Sequence, residues 1–167
     1  ILLLTFTNKA AAEMVARVAK FFGKDIAKQI MAGTFHSVSY KLLKELNLNI
    51  TLKQPNELKT LFKSIYEKRV FFDRAEYVNF DDLLTIMLET LKEKEFDFKE
   101  ILVDEYQDTN PLQGRLLDGF RPKSLFCVGD YDQSIYAFNG SDIGIISTFA
   151  IRYKDANVFT LRKNYRS

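Results

Sequence analysis

FKEILVDEYQDTNP, residues 98–111, decides how the chain is read. Its middle, Ile101 to Val103, is a short apolar run of strand length and strand character. Directly behind that run stand Asp104, Glu105, Gln107 and Asp108. Carboxylates this close repel one another unless a cation, a substrate or water lies between them. Asn110 and Pro111 then open a helix, with proline at its first helical position. A strand that ends in acids and feeds a helix is the unit from which the rest of the sequence can be ordered.

That unit recurs. SLFCVGD (124–130) is a second apolar run ending in an acid. ILLLTF (1–6) is a third run, and NKAAAEMVARVAKFFG (8–23) switches to helical spacing through Met14, Val15, Val18, Phe21 and Phe22, with Gly23 as its stop. KQIMAGTF (28–35) predicts a further strand, followed by a helix from about His36 to Leu46. The segment 55–95 differs, with two helical patterns, NELKTLFKSIYEKRVFF (56–72) and NFDDLLTIMLETLKEKE (79–95), and no strand-like run between them. A helix over roughly 141–152, capped by Ser141, and a last strand at NVFTL (157–161) complete the pattern. Strands alternating with helices require a parallel sheet covered on both faces, because each crossover needs a helix of its own. The expected class is α/β. Ligands in such sheets bind beyond the carboxyl ends of the strands, which sets Thr5, Thr34, Asp104, Glu105 and Asp130 along one edge.

Composition narrows the chemistry. The chain has 167 residues, 47% of them hydrophobic, enough for one core with a small subdomain. No apolar run approaches the roughly 20 residues of a membrane span, and the opening ILLLTFT lacks the flanks of a signal peptide, so a cytoplasmic protein is expected. The single cysteine, Cys127, cannot form an internal disulfide and reads as a small hydrophobe. The single histidine, His36, leaves histidine-cluster metal sites and histidine triads without their residues. A net charge of +2, from 24 basic and 22 acidic residues, makes any nucleic-acid surface a local one. Ile1 begins inside a strand-like run, which suggests a piece of a longer chain.

A strand ending in Asp-Glu suits phosphate chemistry: the first acid holds a hydrated Mg²⁺ while the second activates a nucleophile. For a lone pair of this kind a solvated strand end is the commoner reading. VGDYDQSIYAFNG (128–140) repeats the pattern and adds Gln133, a neutral partner for a terminal phosphate. It also carries Tyr136 and Phe138, suited either to base stacking or to packing in the core. TFTNKAA (5–11) places hydroxyls, an amide and a lysine at a helix N-terminus, which favours anions and serves equally as a cap. LRKNYRS (161–167) ends the chain with Arg162, Lys163 and Arg166, which could brace a phosphate or lie in solvent.

In order, TFTNKAA, GTFHS, VDEYQDTN, VGDYDQSIYAFNG and LRKNYRS resemble the successive motifs of UvrD/Rep-type superfamily 1 DNA helicases, over roughly 1–46 and 79–167. The resemblance implies a RecA-like ATPase domain over 1–46 and 79–167, with 47–78 as a short helical insertion. A second RecA-like domain of the same parent chain would complete a motor that uses ATP and Mg²⁺ to move along single-stranded DNA and part duplex junctions. By the same resemblance, Asp104 would hold Mg²⁺, Glu105 would orient the attacking water, and Gln133 would sense the γ-phosphate. Arg166 would stabilise charge on the transferring phosphoryl group, and Tyr165 would stack near adenine. Thr5, Phe6, Asn8, Thr34, Phe35, His36, Tyr136 and Phe138 would lie along the DNA path, with no membrane role.

Departures from the family pattern matter as well. No G-x-x-x-x-G-K-[ST] phosphate loop occurs in the sequence, so this chain alone is expected to hydrolyse essentially no ATP. Phe138 stands where tryptophan is usual, Asn139 stands where arginine is common, and the insertion is shorter than the family's. Two other readings follow from the same residues: a single-stranded DNA-binding module that never turns over ATP, and a nuclease using Asp104, Glu105 and Asp108 as metal ligands.

Overall fold

The computed structural model describes residues 1–48, 50–52, 77–133 and 144–163. Strands β1 (Leu2–Leu4), β2 (Met31–Gly33), β5 (Glu100–Val103) and β6 (Ser124–Cys127) form a parallel sheet in the order β2-β1-β5-β6. Leu2 lies opposite Met31 on one side and Ile101 on the other, and Ile101 lies opposite Leu125 in turn. Helices make the crossovers: α1 (Asn8–Phe22) and α2 (Lys24–Ala27) between β1 and β2, and α5 (Pro111–Phe120) between β5 and β6. Between β2 and β5 run α3 (Phe35–Glu45) and α4 (Phe80–Glu93). The class is α/β, as the alternation predicts.

Polar caps fix where the helices begin. Thr7 accepts from the Ala10 amide at 3.1 Å, and Thr34 and Asn110 each form a reciprocal capping box, with Ser37 and Gln113. These three caps follow β1, β2 and β5, so α1, α3 and α5 all start at the carboxyl edge of the sheet. Leu2, Leu4, Ile101 and Val103 of the central strands pack with Leu42 and Leu43 of α3, Met87 of α4, and Leu116 and Leu117 of α5. Each such side chain is worth about 1.5–3 kcal/mol when fully buried, which holds the edge in register.

Three expectations are corrected. The first concerns NVFTL, which forms no strand: residues 157–161 pair with no strand among the described residues, and Phe159 is 85% exposed. A strand exists only by hydrogen-bonding a neighbour, and the described sheet ends at β2 and β6. The second concerns the helix over 141–152. Its described part, 144–152, is two short pieces, α6 (Gly144–Ser147) and α7 (Phe149–Arg152), broken at Thr148, while 141–143, with Ser141, lie outside the described residues. The third concerns the stretch before α4, which holds a strand after all. There β4 (Tyr77–Val78) pairs in parallel with β3 (Thr51–Leu52), two residues each and too short for a periodicity signal. The helical pattern at 56–72 lies outside the described residues.

Cover on both faces holds for β1 and β5 but not for β6, where Phe126 stands about half exposed, as does Val128 just beyond the strand. No helix among the described residues is long and apolar enough to cross a membrane.

Candidate nucleotide site

Parallel pairing carries three strand ends to one place. The Asp104 amide donates to Leu4 at 2.9 Å and the Val128 amide to Val103 at 2.8 Å. The chain then turns sharply at Glu105, which adopts a left-handed backbone (φ 53, ψ 45) and leads into a 3-10 turn at Tyr106–Asp108. For a residue other than glycine that conformation costs about 1–2 kcal/mol. Packing and pairing hold it: the Tyr106 amide donates to Val128 at 2.9 Å, and the buried Tyr106 ring meets Phe149 of α7 edge-on at 5.4 Å. Backbone strain of this kind clusters at active sites, which marks Glu105 as a candidate.

The cleft is an open pocket of about 250 Å³. Phe6, Thr7 and Ala10 line one side, and Asp104, Glu105, Gln107, Asp108 and Gln133 the other. The N-terminal turn of α1 therefore borders the acids, and its partial positive charge suits an anion. The carboxyls of Asp104 and Asp108 are both held above the usual range, first by burial and second by the charge of Glu105. Asp108 Oδ1 is buried without a hydrogen-bond partner.

The residues fit Mg²⁺, a hard cation that keeps several waters and takes one or two carboxylates together with phosphate oxygens. They do not make a cage. Among the described residues no group of three or more His, Cys, Asp or Glu could hold a metal ion, so the three-ligand nuclease site is not formed.

Side-chain hydrogen bonds join the two acidic strand ends. Gln107 Nε2 donates to Glu105 Oε2 at 2.6 Å, and the Asp130 amide donates to Gln107 Oε1 at 3.0 Å. Asp130 in turn accepts from Gln133 Nε2 at 2.6 Å and from the Asp132 amide at 3.0 Å. A Cβ at 129 would lie 2.8 Å from Gln107 Oε1 and 2.9 Å from Ile146, so a side chain there would displace the amide. Burial pushes the Cys127 thiol up to about 12, in keeping with an inert hydrophobe.

Of the residues expected to act on nucleotide, Asp104, Glu105 and Gln133 meet in the pocket, whereas Tyr165 and Arg166 lie outside the described residues. The expected DNA residues divide. Tyr136 and Phe138 also lie outside the described residues. Thr5 is buried and donates its hydroxyl to the Thr7 carbonyl at 2.7 Å, so it shapes the turn after β1. Thr34 is a cap and Phe35 belongs to the core. Phe6 and Asn8 are exposed, and His36 is partly exposed with its ring 5.5 Å from that of Phe80. Sequence reasoning passed over Thr7, which lay inside a quoted motif, and gave Gln107 no role, although its place between two acids was the available signal.

A family model described as UvrD/REP helicase N-terminal domain matches residues 1–71 and 54–154. The chain is 33% identical over 231 aligned positions to the ATP-dependent DNA helicase PcrA of Staphylococcus aureus (strain Mu50), which covers 100% of this chain and 32% of the relative. The PcrA of Staphylococcus epidermidis (strain ATCC 12228) is similar to the same extent, 33% over 231 positions. The chain thus spans about a third (32%) of the length of the curated relatives it matches.

Proposed function

Because the chain belongs to the UvrD/REP helicase family, we propose that it forms most of the first motor domain of a longer ATP-dependent DNA helicase. The observation that carries the reading is the meeting of Asp104, Glu105 and Gln133 in one pocket, with Glu105 held in a left-handed turn. In this reading Asp104 holds Mg²⁺ through water. Mg²⁺, when bound, offsets charge on the phosphates of ATP. Glu105 orients the attacking water and accepts its proton, and Gln133 hydrogen-bonds the terminal phosphate. Arg166 and Tyr165 serve the transferring phosphoryl group and the adenine. The N-terminus of α1 adds electrostatic attraction for phosphate oxygens.

Single-stranded DNA and duplex junctions are the proposed polynucleotide partners. Phe6, Asn8, His36, Tyr136 and Phe138 would contact the strand, with Thr5, Thr34 and Phe35 shaping the segments that present them. Aromatic stacking is blind to sequence, which suits a translocating motor. The motor domain comprises 1–46 and 79–167 with 47–78 as an insertion, and a second RecA-like domain lies elsewhere in the same protein, which acts in the cytoplasm.

The test is ATP hydrolysis with and without single-stranded DNA, by this chain and by the full gene product. Turnover by the full product alone, raised by DNA, is expected. DNA binding without turnover in the full product would overturn the motor reading.

A further inference from the structure

We infer that Gln107 is a positioning residue for the hydrolytic step: it aims Glu105 into the pocket and ties it to the turn that carries Gln133. The inference rests on the reading of Glu105 as the group that orients water. Gln107 is 3% exposed, so its two polar atoms must find partners within the protein. One neighbour is a backbone N–H, that of Asp130, which needs an acceptor. The other is the Glu105 carboxylate, which needs a donor. A carboxamide carries a permanent acceptor and a permanent donor on the two atoms of one terminal group, so the two neighbours also fix which end of the amide points where.

A glutamate at 107 would keep the bond to Asp130 but set a second carboxylate against Glu105. A lysine would have no acceptor for the Asp130 amide. Room for the amide is made by Gly129, whose missing side chain would otherwise press on Gln107 Oε1 at 2.8 Å and on Ile146 at 2.9 Å. From Asp130 the network continues to Gln133 at 2.6 Å. Glu105 is thereby linked through Gln107 and Asp130 to the turn that carries Gln133. A group held by one short hydrogen bond at a strained turn is free to swing when that bond is lost, and misplacement of about 1 Å is enough to cost about 100-fold in rate.

The experiment measures ATP turnover by the full gene product at saturating single-stranded DNA for wild type, Gln107→Glu, Gln107→Met, Glu105→Gln and the Glu105→Gln/Gln107→Glu pair. Both Gln107 variants are expected to lose about 10–100-fold in kcat, with KM for ATP within about threefold. In the Glu105→Gln background the same Gln107→Glu change should cost less than about threefold, because its effect runs through Glu105. Unchanged kcat in Gln107→Glu would overturn the inference, as would an equal loss in both backgrounds. Near wild-type turnover in Glu105→Gln alone would remove the reading beneath it, a result distinct from either. Should the Gln107 variants fail to fold, Gly129→Ala leaves Gln107 in place and displaces its amide. The same loss in kcat is expected, and full turnover would overturn the inference.

Discussion

β5 and residues 157–161 carry the same kind of sequence and meet different fates. EILV at 100–103 is paired on both sides and hides Ile101 and Val103 completely or nearly so. NVFTL at 157–161 is paired with no strand among the described residues and leaves Val158 69%, Phe159 85% and Leu161 94% exposed. Apolar and β-branched content gives a segment the capacity to be a strand, but a free neighbour decides whether it becomes one. The function inherits the same logic. Asp104 and Glu105 form a site because β1 and β6 flank their strand and bring Phe6, Thr7 and Gln133 alongside.

The contrast can be broken by truncating each segment. Ile101→Ala removes buried volume between two paired strands and should destabilise the chain by about 2–5 kcal/mol, read by urea unfolding. An effect below about 1 kcal/mol would mean that β5 is not the centre of the core.

A second probe concerns the acids behind β5. The carboxyls of Asp104 and Asp108 are raised above 3.8 in the fold by burial and by Glu105, so the folded state binds protons more tightly than the unfolded one. That contribution is fully present below about pH 3.8 and is lost as pH rises through the raised values, leaving a net penalty at neutral pH. Asp108→Asn should therefore raise the melting temperature of the ligand-free chain at pH 7, with the gain shrinking towards zero below about pH 4. A lower melting temperature at pH 7 would show that Asp108 stabilises the turn.

The smallest effect belongs to the other member of the pair. Phe159→Ser should change the stability of this chain by no more than about 0.5 kcal/mol, because the ring is already in water. A loss comparable to that of Ile101→Ala would mean that the segment is packed in solution.

The part of the fold legible in the sequence was the part set by local chemistry. The spacing of Met14, Val15 and Val18 made α1, Gly23 ended it at φ 92, and Asn110–Pro111 opened α5 as expected. What escaped depends on partners distant in sequence. Thr51–Leu52 and Tyr77–Val78 make a sheet only because they meet, and NVFTL misleads because it meets no strand among the described residues. The site divides the same way. That Asp104, Glu105 and Gln133 lie together was legible from motif order, while the burial of Thr5 and the bridging of two strand ends by Gln107 arise from packing that spacing does not encode.

Glu105 is the residue proposed to make hydrolysis possible, and the most direct measurement is DNA-stimulated ATP turnover by the full gene product carrying Glu105→Gln. The substitution keeps the size of the side chain and removes its ability to take a proton. Loss of about 10²–10⁴-fold in kcat with nucleotide still bound is predicted. Turnover near the wild-type rate would contradict the account.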